Sequence, residues 1–349
     1  MKVALLTGPC PPGECGVGDY TACLGNALKA SGVDTHVIAS DDWDLLSVLG
    51  SSRLLKKQNF DIVHIEYPTV GFRYTLGPQA LSLLRACVVT IHEASQRHIL
   101  RKLALIPFAV RPKHIIFTSS PERLFATKWA PWIARSSSVI PVGSNIPVAE
   151  KESPRTPTEI VYFGLLVPRK ELEQVLELAN LIRSAGARLL VRIIGRVPVK
   201  HAAYFDQLRL KTEGLPIIWD HDLSEECIAQ RLAGASIAYL PYTDGASERR
   251  TTLKAALLSG LAVITTRGPH TPQGLVDAVK FCRTPEDALA TILELIESSQ
   301  ETSRLSANAV KYAQQYTWGH IAKLHLDVYH AVLGKKPNII PADGRKVLG

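Results

Sequence analysis

DGASERRTTLKAALLSGLAVITT, residues 244–266, is the stretch that decides the fold. It contains a polar loop with two adjacent arginines, an apolar helical segment that ends at Gly260, and a β-branched strand. A loop that leads into a helix brings backbone amides, the positive end of the helix dipole and guanidinium groups to one point. Arg249 and Arg250 can therefore hold a diphosphate bidentately, and the amides of the next two residues add uncharged donors. The alternative is an exposed loop with solvated arginines and an N-capping serine, Ser247.

The composition indicates a globular protein of two domains. The chain has 349 residues, 46% of them hydrophobic, which is too long for one small core. No apolar run reaches the roughly 18 residues of a membrane span, and residues 1–8 are too short for a secretory signal. The six scattered cysteines form no C-x-x-C pair, which is typical of a reducing compartment. We therefore expect a cytoplasmic protein.

The net charge of +8 favours anionic partners. Lys and Arg number 15 against 11 Asp and Glu in residues 1–150, and 25 against 21 in the rest, so each part is +4 and neither has a basic tail. Zinc-finger spacing and an aromatic RNA-binding signature are absent, so nucleic acid is not an expected partner. The segment Arg97–Lys113 mixes basic and apolar side chains. It predicts peripheral contact with an anionic membrane, although a half-buried helix with a solvated face explains the same pattern.

Short apolar, β-branched runs alternate with helix-length segments along the chain. This pattern is typical of parallel sheets that helices cover on both faces. Two sets of six runs predict two doubly wound, Rossmann-like α/β domains at 1–148 and 159–316, with a polar, proline-bearing linker at 149–158. The predicted strands are 3–6, 35–38, 62–65, 88–91, 115–117 and 138–142 in the first set, and 160–163, 189–194, 216–219, 237–240, 263–265 and 279–281 in the second.

Unusual residues follow several of these predicted strands, at the edge where open α/β sheets bind ligands. A Gly/Pro loop at 8–20 follows the first strand, His92 follows the fourth, the segment 164–170 follows the seventh and Gly195 the eighth. The glycines of the first loop have the reverse of the dinucleotide-binding spacing, so a nicotinamide cofactor is not expected. We expect one ligand at the carboxyl ends of the strands, in a cleft between the two domains.

With these residues in order, the chain resembles the GT-B glycosyltransferases, specifically the family-4-like group that uses nucleotide-sugar donors. The likeness covers nearly the whole chain, and residues 317–349 look like the family's terminal helix, which crosses back to the first domain, and a tail. It depends on the order and spacing of short motifs at 16–20, 90–93, 140–143, 162–164, 168–170, 193–195, 240–241, 244–245 and 259–263.

The resemblance implies roles for individual residues. Lys170 matches the family lysine that meets the donor diphosphate, and Arg169 is its helper. His92 matches the histidine that faces the donor sugar. Gly16 and Gly18 match the loop that sugar and acceptor approach.

In such enzymes the nucleotide lies mainly in the second domain. The resemblance implies that Gly195 and Arg196, with Asp222 and Leu223, hold the base through backbone groups. The diphosphate would contact the loop and helix start formed by Ser247, Glu248, Arg249, Arg250, Thr251 and Thr252.

One departure concerns two glutamates that the family carries eight positions apart. Alignment on Gly260 puts Ser247 and Ala255 at these positions, so both carboxylates are absent. Glu248 is displaced by one position and is expected to be a plain surface acid. Ribose recognition would then use hydroxyl groups of the loop and helix start.

The resemblance implies transfer of a sugar from a UDP-sugar, such as UDP-glucose, to a glycan or lipid-linked acceptor in polysaccharide biosynthesis. The group generally retains anomeric configuration, which needs no protein nucleophile. Inversion would instead need a general base, for which Asp19, His92 and Glu93 are the candidates. A nucleotide-sugar 2-epimerase and a non-catalytic nucleotide-sugar sensor are the alternatives, and the absent glutamates favour the sensor.

No metal or other cofactor is expected beyond the donor itself. Cationic side chains and the end of a helix can stabilise the diphosphate that leaves. The acidic run Asp41–Asp44 looks like a D-x-D metal site, but acids before an apolar helix are typical of a helix start. We assign it to helix capping.

Overall fold

The structure is a computed structural model that describes residues 1–11, 15–40, 43–72, 75–94, 103–149 and 155–334. The chain divides into two compact units. One contains residues 1–142 and the chain from Trp318 onward, and the other contains residues 143–317. Each unit has a six-stranded sheet in which every strand pair is parallel. This confirms the predicted pair of doubly wound α/β folds.

The first sheet has the order β2-β1-β3-β4-β5-β6. Its strands are β1 (Lys2–Thr7), β2 (Asp34–Ala39), β3 (Ile62–Tyr67), β4 (Val88–Ile91), β5 (His114–Phe117) and β6 (Ser137–Val139). The helices of this unit are α1 (Gly16–Ala30), α2 (Leu45–Lys57), α3 (Gly77–Leu84), α4 (Ile106–Val110), α5 (Ser120–Trp129) and the C-terminal α12 (Trp318–Val332).

The second sheet has the order β12-β11-β10-β7-β8-β9. Its strands are β7 (Thr156–Phe163), β8 (Leu190–Gly195), β9 (Ile217–His221), β10 (Ala235–Leu240), β11 (Ala262–Thr265) and β12 (Val279–Phe281). Its helices are α6 (Leu172–Ser184), α7 (Ala202–Lys211), α8 (Glu225–Gly234), α9 (Thr251–Leu258), α10 (Pro285–Glu297) and α11 (Ser299–Ala313).

Local sequence explains where these elements begin and what they bury. The strands β4, β10 and β11 are buried at every residue, as expected for apolar strands with helices on both faces. Three helices of the second unit begin at a hydroxyl that accepts a backbone N–H. These caps are Ser224 for α8, Thr284 for α10 and Ser298 for α11.

All twelve predicted strands are present, and the largest difference in bounds concerns β7. This strand begins at Thr156, inside the stretch 149–158 that the sequence assigned to a linker. Thr156 pairs with Ala235 of β10, yet the first residues of β7 are exposed, so their polar pattern looks like that of a linker. The two units divide between Val142 and Gly143, and residues 150–154 lie outside the described part of the chain.

The strand order places one topological switch point in each sheet. In the first sheet, the connection from β1 leads toward one edge and the connection from β3 leads toward the other edge. The connections from β7 and β10 diverge in the same way in the second sheet. Open α/β sheets bind ligands beyond the carboxyl ends of the strands at such a point. In the second unit these carboxyl ends lead into the loops 164–171 and 241–250.

Candidate functional site

A cavity of about 450 Å³ opens at the carboxyl edge of the second sheet. Its walls come from the ends of β7, β8 and β9 and from the first turns of α8 and α9. The volume is in the range of ordinary small-molecule sites, roughly 300–1,000 Å³. The cavity brings together five residues that the sequence assigned to nucleotide binding, namely Gly195, Arg196, Asp222, Leu223 and Thr252.

The backbone at one wall of this cavity requires a glycine at position 195. A Cβ atom there would lie 2.0 Å from the carbonyl oxygen of Gly164. The loops after β7 and β8 also pair directly, because the amide of Leu166 donates to the carbonyl of Arg196 at 3.0 Å. The close approach leaves backbone groups at the wall of the cavity, which suits recognition of a flat base.

Asp222 holds the next loop of the cavity in place. Its backbone is left-handed, with φ of 53°, a conformation that aspartate tolerates better than most residues. Its amide donates to the carbonyl of Gly195 at 2.9 Å, and its Oδ1 accepts from the amide of Val197 at 3.1 Å. The carboxylate therefore orders the loop after β8.

Positive charge gathers at the start of α9, beside the cavity. Arg250 is the N-cap residue of α9, and no side chain caps this helix. Its guanidinium lies 4.6 Å from the centroid of the Tyr242 ring and pairs with the carboxylate of Asp244. Burial and the nearby Arg250 cation lower the pKa of Lys170, while Asp244 acts in the opposite direction. Two cations therefore share one carboxylate.

Two further features of this charged cluster suit an anion. Within the described residues, the buried Nε of Arg250 has no hydrogen-bond partner. The uncapped first turn of α9 presents free backbone amides and the positive end of the helix dipole. Tyr242 links the cluster to the cavity, because its hydroxyl lies 3.0 Å from Oγ1 of Thr252. Burial raises the pKa of Tyr242 to about 12, so this hydroxyl stays neutral.

The loop that carries Lys170 has an unusual backbone on both sides of it. Arg169 and Glu171 have φ of 65° and 56°, in the left-handed region. The hydroxyl of Thr243 donates to the Glu171 carboxylate, and the hydroxyl of Tyr162 donates to the carbonyl of Lys170 at 2.9 Å. Such a conformation persists only where surrounding contacts impose it, and it is common at ligand sites.

The structure corrects the interpretation of Glu248 as a plain surface acid. The residue is half-buried, and its charge raises the pKa of Lys254, which is almost fully buried in α9. Burial outweighs this effect and lowers the pKa of Lys254 to about 7. The ammonium group also lies 4.6 Å from the centroid of the Tyr316 ring. A buried amine needs a counter-charge, and Glu248 supplies negative charge to Lys254.

The other predicted residues of this region lie around the same loop and helix start. Ser247 is half-buried, whereas Arg169, Arg249 and Thr251 are exposed.

In the first unit, His92 directly follows β4 and is held on several sides. Its Nε2 lies 2.9 Å from the Glu66 carboxylate, and the Glu66 side chain is fully buried on β3. The Tyr20 ring packs edge-on against the His92 ring, with centroids 4.8 Å apart. The His92 carbonyl accepts from the hydroxyl of Thr118 at 3.1 Å, and its amide donates to the carbonyl of Tyr67. Both the orientation and the tautomer of the imidazole are thereby restricted.

A buried polar network connects this histidine to the C-terminal helix. His64 on β3 contacts the hydroxyls of Tyr329 and Thr90, each at 2.7 Å. The hydroxyl of Tyr20 lies 3.3 Å from Nε2 of His325 on α12. Burial lowers the pKa of His64 to about 3 and that of His325 to about 4, so both imidazoles are neutral at pH 7. The network binds α12 to the first sheet.

The first turn of α1, which follows the loop after β1, contains the predicted residues Gly16, Gly18 and Asp19. A Cβ atom on Gly18 would lie 1.9 Å from the carbonyl oxygen of Pro9, so only glycine lets α1 approach the loop. A Cβ on Gly16 would meet nothing within 4 Å, which leaves space beside the helix start. Asp19 lies in the first turn of α1, where a carboxylate stabilises the helix dipole, and its charge raises the pKa of Cys10.

Sequence reasoning missed three contacts of these clusters. They are Glu66 with His92, Tyr242 with Thr252, and Asp244 with Arg250. Glu66 lies in β3, which is buried on both faces, and the sequence does not show which residue of the neighbouring strand lies beside it. The signal that could have found it is a carboxylate at a position that must be fully buried.

No metal site is evident in the described residues, and the charges in a second cavity are paired with each other. No group of three His, Cys, Asp or Glu there could hold a metal ion. Asp41 and Asp42 of the acidic run lie outside the described residues. A larger cavity of about 1080 Å³ includes Glu159 and Arg192. These side chains pair with each other at 2.7 Å, and Arg192 also pairs with Asp220, so their charges are already compensated.

Comparison with known proteins gives matches in structure but not in sequence. The sequence matches no protein-family model and no curated protein. The structure is similar to HepE of Anabaena in complex with UDP, with 14% identity, a TM-score of 0.71 and coverage of 95% of this chain and 100% of that one. It is also similar to a glycosyltransferase from Rickettsia africae, with 12% identity, a TM-score of 0.72 and coverage of 95% and 99%.

A third structural neighbour is sucrose-phosphate synthase from Thermosynechococcus elongatus, with 13% identity, a TM-score of 0.69 and coverage of 96% of this chain and 99% of that one. All three similarities extend over nearly the full length of both proteins. Together with the two parallel sheets, they establish the fold of this chain as the two-domain, Rossmann-like GT-B fold.

Proposed function

We propose that this GT-B chain is a glycosyltransferase that moves a sugar from a nucleotide-sugar donor to an acceptor. The observation that carries the proposal is the meeting of Lys170, Arg250 and the uncapped start of α9 beside a cavity of about 450 Å³. Structures of HepE contain UDP and UDP-glucose, which supports a UDP-sugar such as UDP-glucose as the donor. The proposed acceptor is a glycan or a lipid-linked precursor in polysaccharide biosynthesis.

The donor would bind with its base and ribose in the cavity. The walls near Gly195 and Asp222 offer backbone groups to the base, and Thr252 offers a hydroxyl to the ribose. The diphosphate would lie at the start of α9, against Lys170 and Arg250. As the bond from the sugar to the diphosphate breaks, negative charge develops on the leaving group, and these cations stabilise it.

The proposed reaction needs no metal ion, because cationic side chains and helix amides already meet the diphosphate. Activity should persist in excess EDTA. Loss of activity in EDTA, with rescue by Mg²⁺ or Mn²⁺, would contradict this part of the proposal and return attention to Asp42 and Asp44.

His92 is proposed to act in turnover and not in nucleotide binding. Its contacts with Glu66 and Tyr20 belong to the first unit, whereas the proposed nucleotide site lies within the second. The proposed outcome is retention by front-face attack, which uses no protein nucleophile. If the product is inverted, a general base is required, and His92, Asp19 and Glu93 are the candidates.

A second candidate function is a non-catalytic nucleotide-sugar sensor. Ser247 and Ala255 occupy the two positions at which the family-4-like group carries glutamates, and this observation favours the sensor. A nucleotide-sugar 2-epimerase would need acid and base carboxylates around the sugar and no acceptor.

The experiment that tests the proposal is incubation of the protein with a panel of nucleotide sugars, with and without acceptor extracts, followed by an assay of released nucleoside diphosphate. A transferase releases the diphosphate faster when the acceptor is present. A sensor binds the donor and releases nothing, and a 2-epimerase converts the donor without acceptor. The anomeric configuration of the product, read by NMR, tests retention.

The proposed location is the cytoplasm, with peripheral contact at the inner face of the membrane. None of the described helices is long and apolar enough to cross a bilayer. The net charge of +8 supports attraction to an anionic surface.

A further inference from the structure

The whole net charge of the chain comes from one short segment. Residues 70–136 contain ten Lys and Arg against two Asp and Glu, whereas the rest of the chain contains thirty of each. One of these two acids, Glu122, is fully buried and accepts the amide of Ala94 at 2.7 Å, so its charge lies away from the surface. Division of the chain into halves conceals this concentration, because each half has a charge of +4.

The same segment holds most of the large apolar side chains that are exposed. Ten of the sixteen exposed large apolar residues in the described chain lie between positions 70 and 132. Trp129 and Trp132 are 72% and 64% exposed. Single exposed apolar residues are ordinary, but a cluster with two tryptophans marks an interaction surface.

The topology places these residues on one layer of the first unit. The helices α3, α4 and α5 each connect parallel strands that are neighbours in the order β3-β4-β5-β6. Right-handed crossovers between consecutive neighbours put such helices on the same face of the sheet. The layer is continuous, because α3 packs against α4, and Nε1 of Trp132 donates to the carbonyl of Ala109 in α4 at 2.8 Å.

The charges and apolar groups of this layer are available to a partner. We call it the basic-apolar surface, defined by its exposed apolar and basic side chains. The apolar ones are Leu84, Ile106, Val110, Trp129 and Trp132, and the basic ones are Arg111, Lys113, Lys128 and Arg135.

We propose that the basic-apolar surface binds peripherally to a bilayer that contains anionic lipids. Tryptophan prefers the headgroup region, where its ring is partly buried and its N–H remains polar. Exposed Lys and Arg beside it are attracted to anionic headgroups, and their aliphatic stems can cover apolar surface. The surface extends beyond the segment Arg97–Lys113, of which residues 97–102 lie outside the described part of the chain. It deepens the proposed function, because it brings the enzyme to a lipid-linked acceptor.

The test is flotation of the full chain with vesicles, in the absence of nucleotide. Vesicles of 30% phosphatidylglycerol and 70% phosphatidylcholine are compared with pure phosphatidylcholine at 50 mM and 500 mM NaCl. The protein should float with the anionic vesicles at low salt and be released at high salt, since exposed charges are screened. Its tryptophan emission should shift to shorter wavelength on binding, because Trp129 and Trp132 leave water.

Matched variants assign the effect to this surface. Each basic side chain near an anionic leaflet strengthens binding about fivefold, so Lys128→Glu with Arg135→Glu should weaken binding about 25-fold or more. Trp129→Ser with Trp132→Ser should weaken it about tenfold and abolish the emission shift. The control is Lys211→Glu with Lys311→Glu, exposed on α7 and α11 of the second unit, and it should bind like the parent.

Three results would overturn the proposal. The first is failure to float with either vesicle at low salt, and the second is parental binding by both surface variants. The third is a dimer in solution that the tryptophan variant dissociates without any vesicle binding, which would make the surface an interface between two copies. Because UDP binding is measured separately by calorimetry, failure of this proposal and failure of the proposed function are distinguishable.

Discussion

Lys254 gives the stability of the second unit a pH dependence that one substitution should remove. Its side chain is 1% exposed, and burial lowers its pKa from 10.5 to about 7 despite the nearby charge of Glu248. In the unfolded chain the amine is protonated up to about pH 10.5, and in the folded chain only up to about pH 7. Between these values unfolding takes up a proton, so stability is full above pH 10.5 and falls as the pH is lowered to 7.

The magnitude follows from the size of the pKa shift. A pKa lowered from 10.5 to about 7 corresponds to about 5 kcal/mol, at about 1.36 kcal/mol per pKa unit. Lys254→Met keeps the length of the side chain and removes the titrating group. The advantage of the variant over the parent should therefore shrink by about 2 kcal/mol between pH 7 and pH 9, since the folded amine is half-protonated at pH 7.

The assay is urea unfolding of parent and variant at pH 6, 7, 8 and 9, with the difference in unfolding free energy plotted against pH. The difference cancels every group that the two proteins share. Lys211→Met, at an exposed position on α7, is the control and should give a flat line. A flat line for Lys254→Met as well would refute the buried, destabilised amine.

Three further predictions concern the first unit. Gly18→Ala should destabilise the protein by several kcal/mol, because the added methyl group would lie 1.9 Å from the carbonyl oxygen of Pro9. Gly16→Ala, the control, should leave thermal stability within about 1 kcal/mol of the parent, and equal melting temperatures for the two variants would contradict this. Tyr329→Phe should lower the free energy of unfolding in urea by about 1–3 kcal/mol, because the buried imidazole of His64 loses its hydrogen-bond partner. Tyr204→Phe, the control, removes a surface hydroxyl and should lower it by less than about 1 kcal/mol. Equal losses in the two variants would refute the role of the buried hydroxyl. Glu66→Gln should lower turnover and leave UDP affinity unchanged, because Glu66 contacts His92 and not the proposed nucleotide site. Nitrogen NMR should report a change in the tautomer of the His92 imidazole. Parental turnover with an unchanged spectrum would show that the contact is only structural.

The sequence predicted both sheets because its strands are short, apolar and evenly separated. The spacing of such apolar runs can be read from a single sequence. It also predicted five of the twelve residues that line the cavity, since residues at successive strand ends of a parallel sheet must share one edge. Glu66 could not be predicted as a partner of His92, because contact across neighbouring strands depends on their register. The environment of Glu248 could not be predicted for a related reason, since only the packing of α9 shows that Lys254 is buried near it.

The surface of the first unit illustrates a different limit. Residues 1–150 and the rest of the chain each have a charge of +4, and this equal division hides the fact that all of the excess lies in residues 70–136. The exposure of Trp129 and Trp132 could not be read from the sequence either, because tryptophan is more often buried than exposed. Their position on one layer with basic residues depends on the strand order.

The proposed function requires that the second unit bind a nucleoside diphosphate through Lys170 and Arg250. Calorimetry of UDP and of uridine with the parent, Lys170→Ala, Arg250→Ala and the control Lys311→Ala measures this binding. Loss of a charged hydrogen bond costs about 1.5–3 kcal/mol, so each of the two site variants should bind UDP about tenfold to a hundredfold more weakly than the parent. Uridine, which lacks the diphosphate, should bind all four proteins alike. Parental UDP affinity in both site variants would contradict the account.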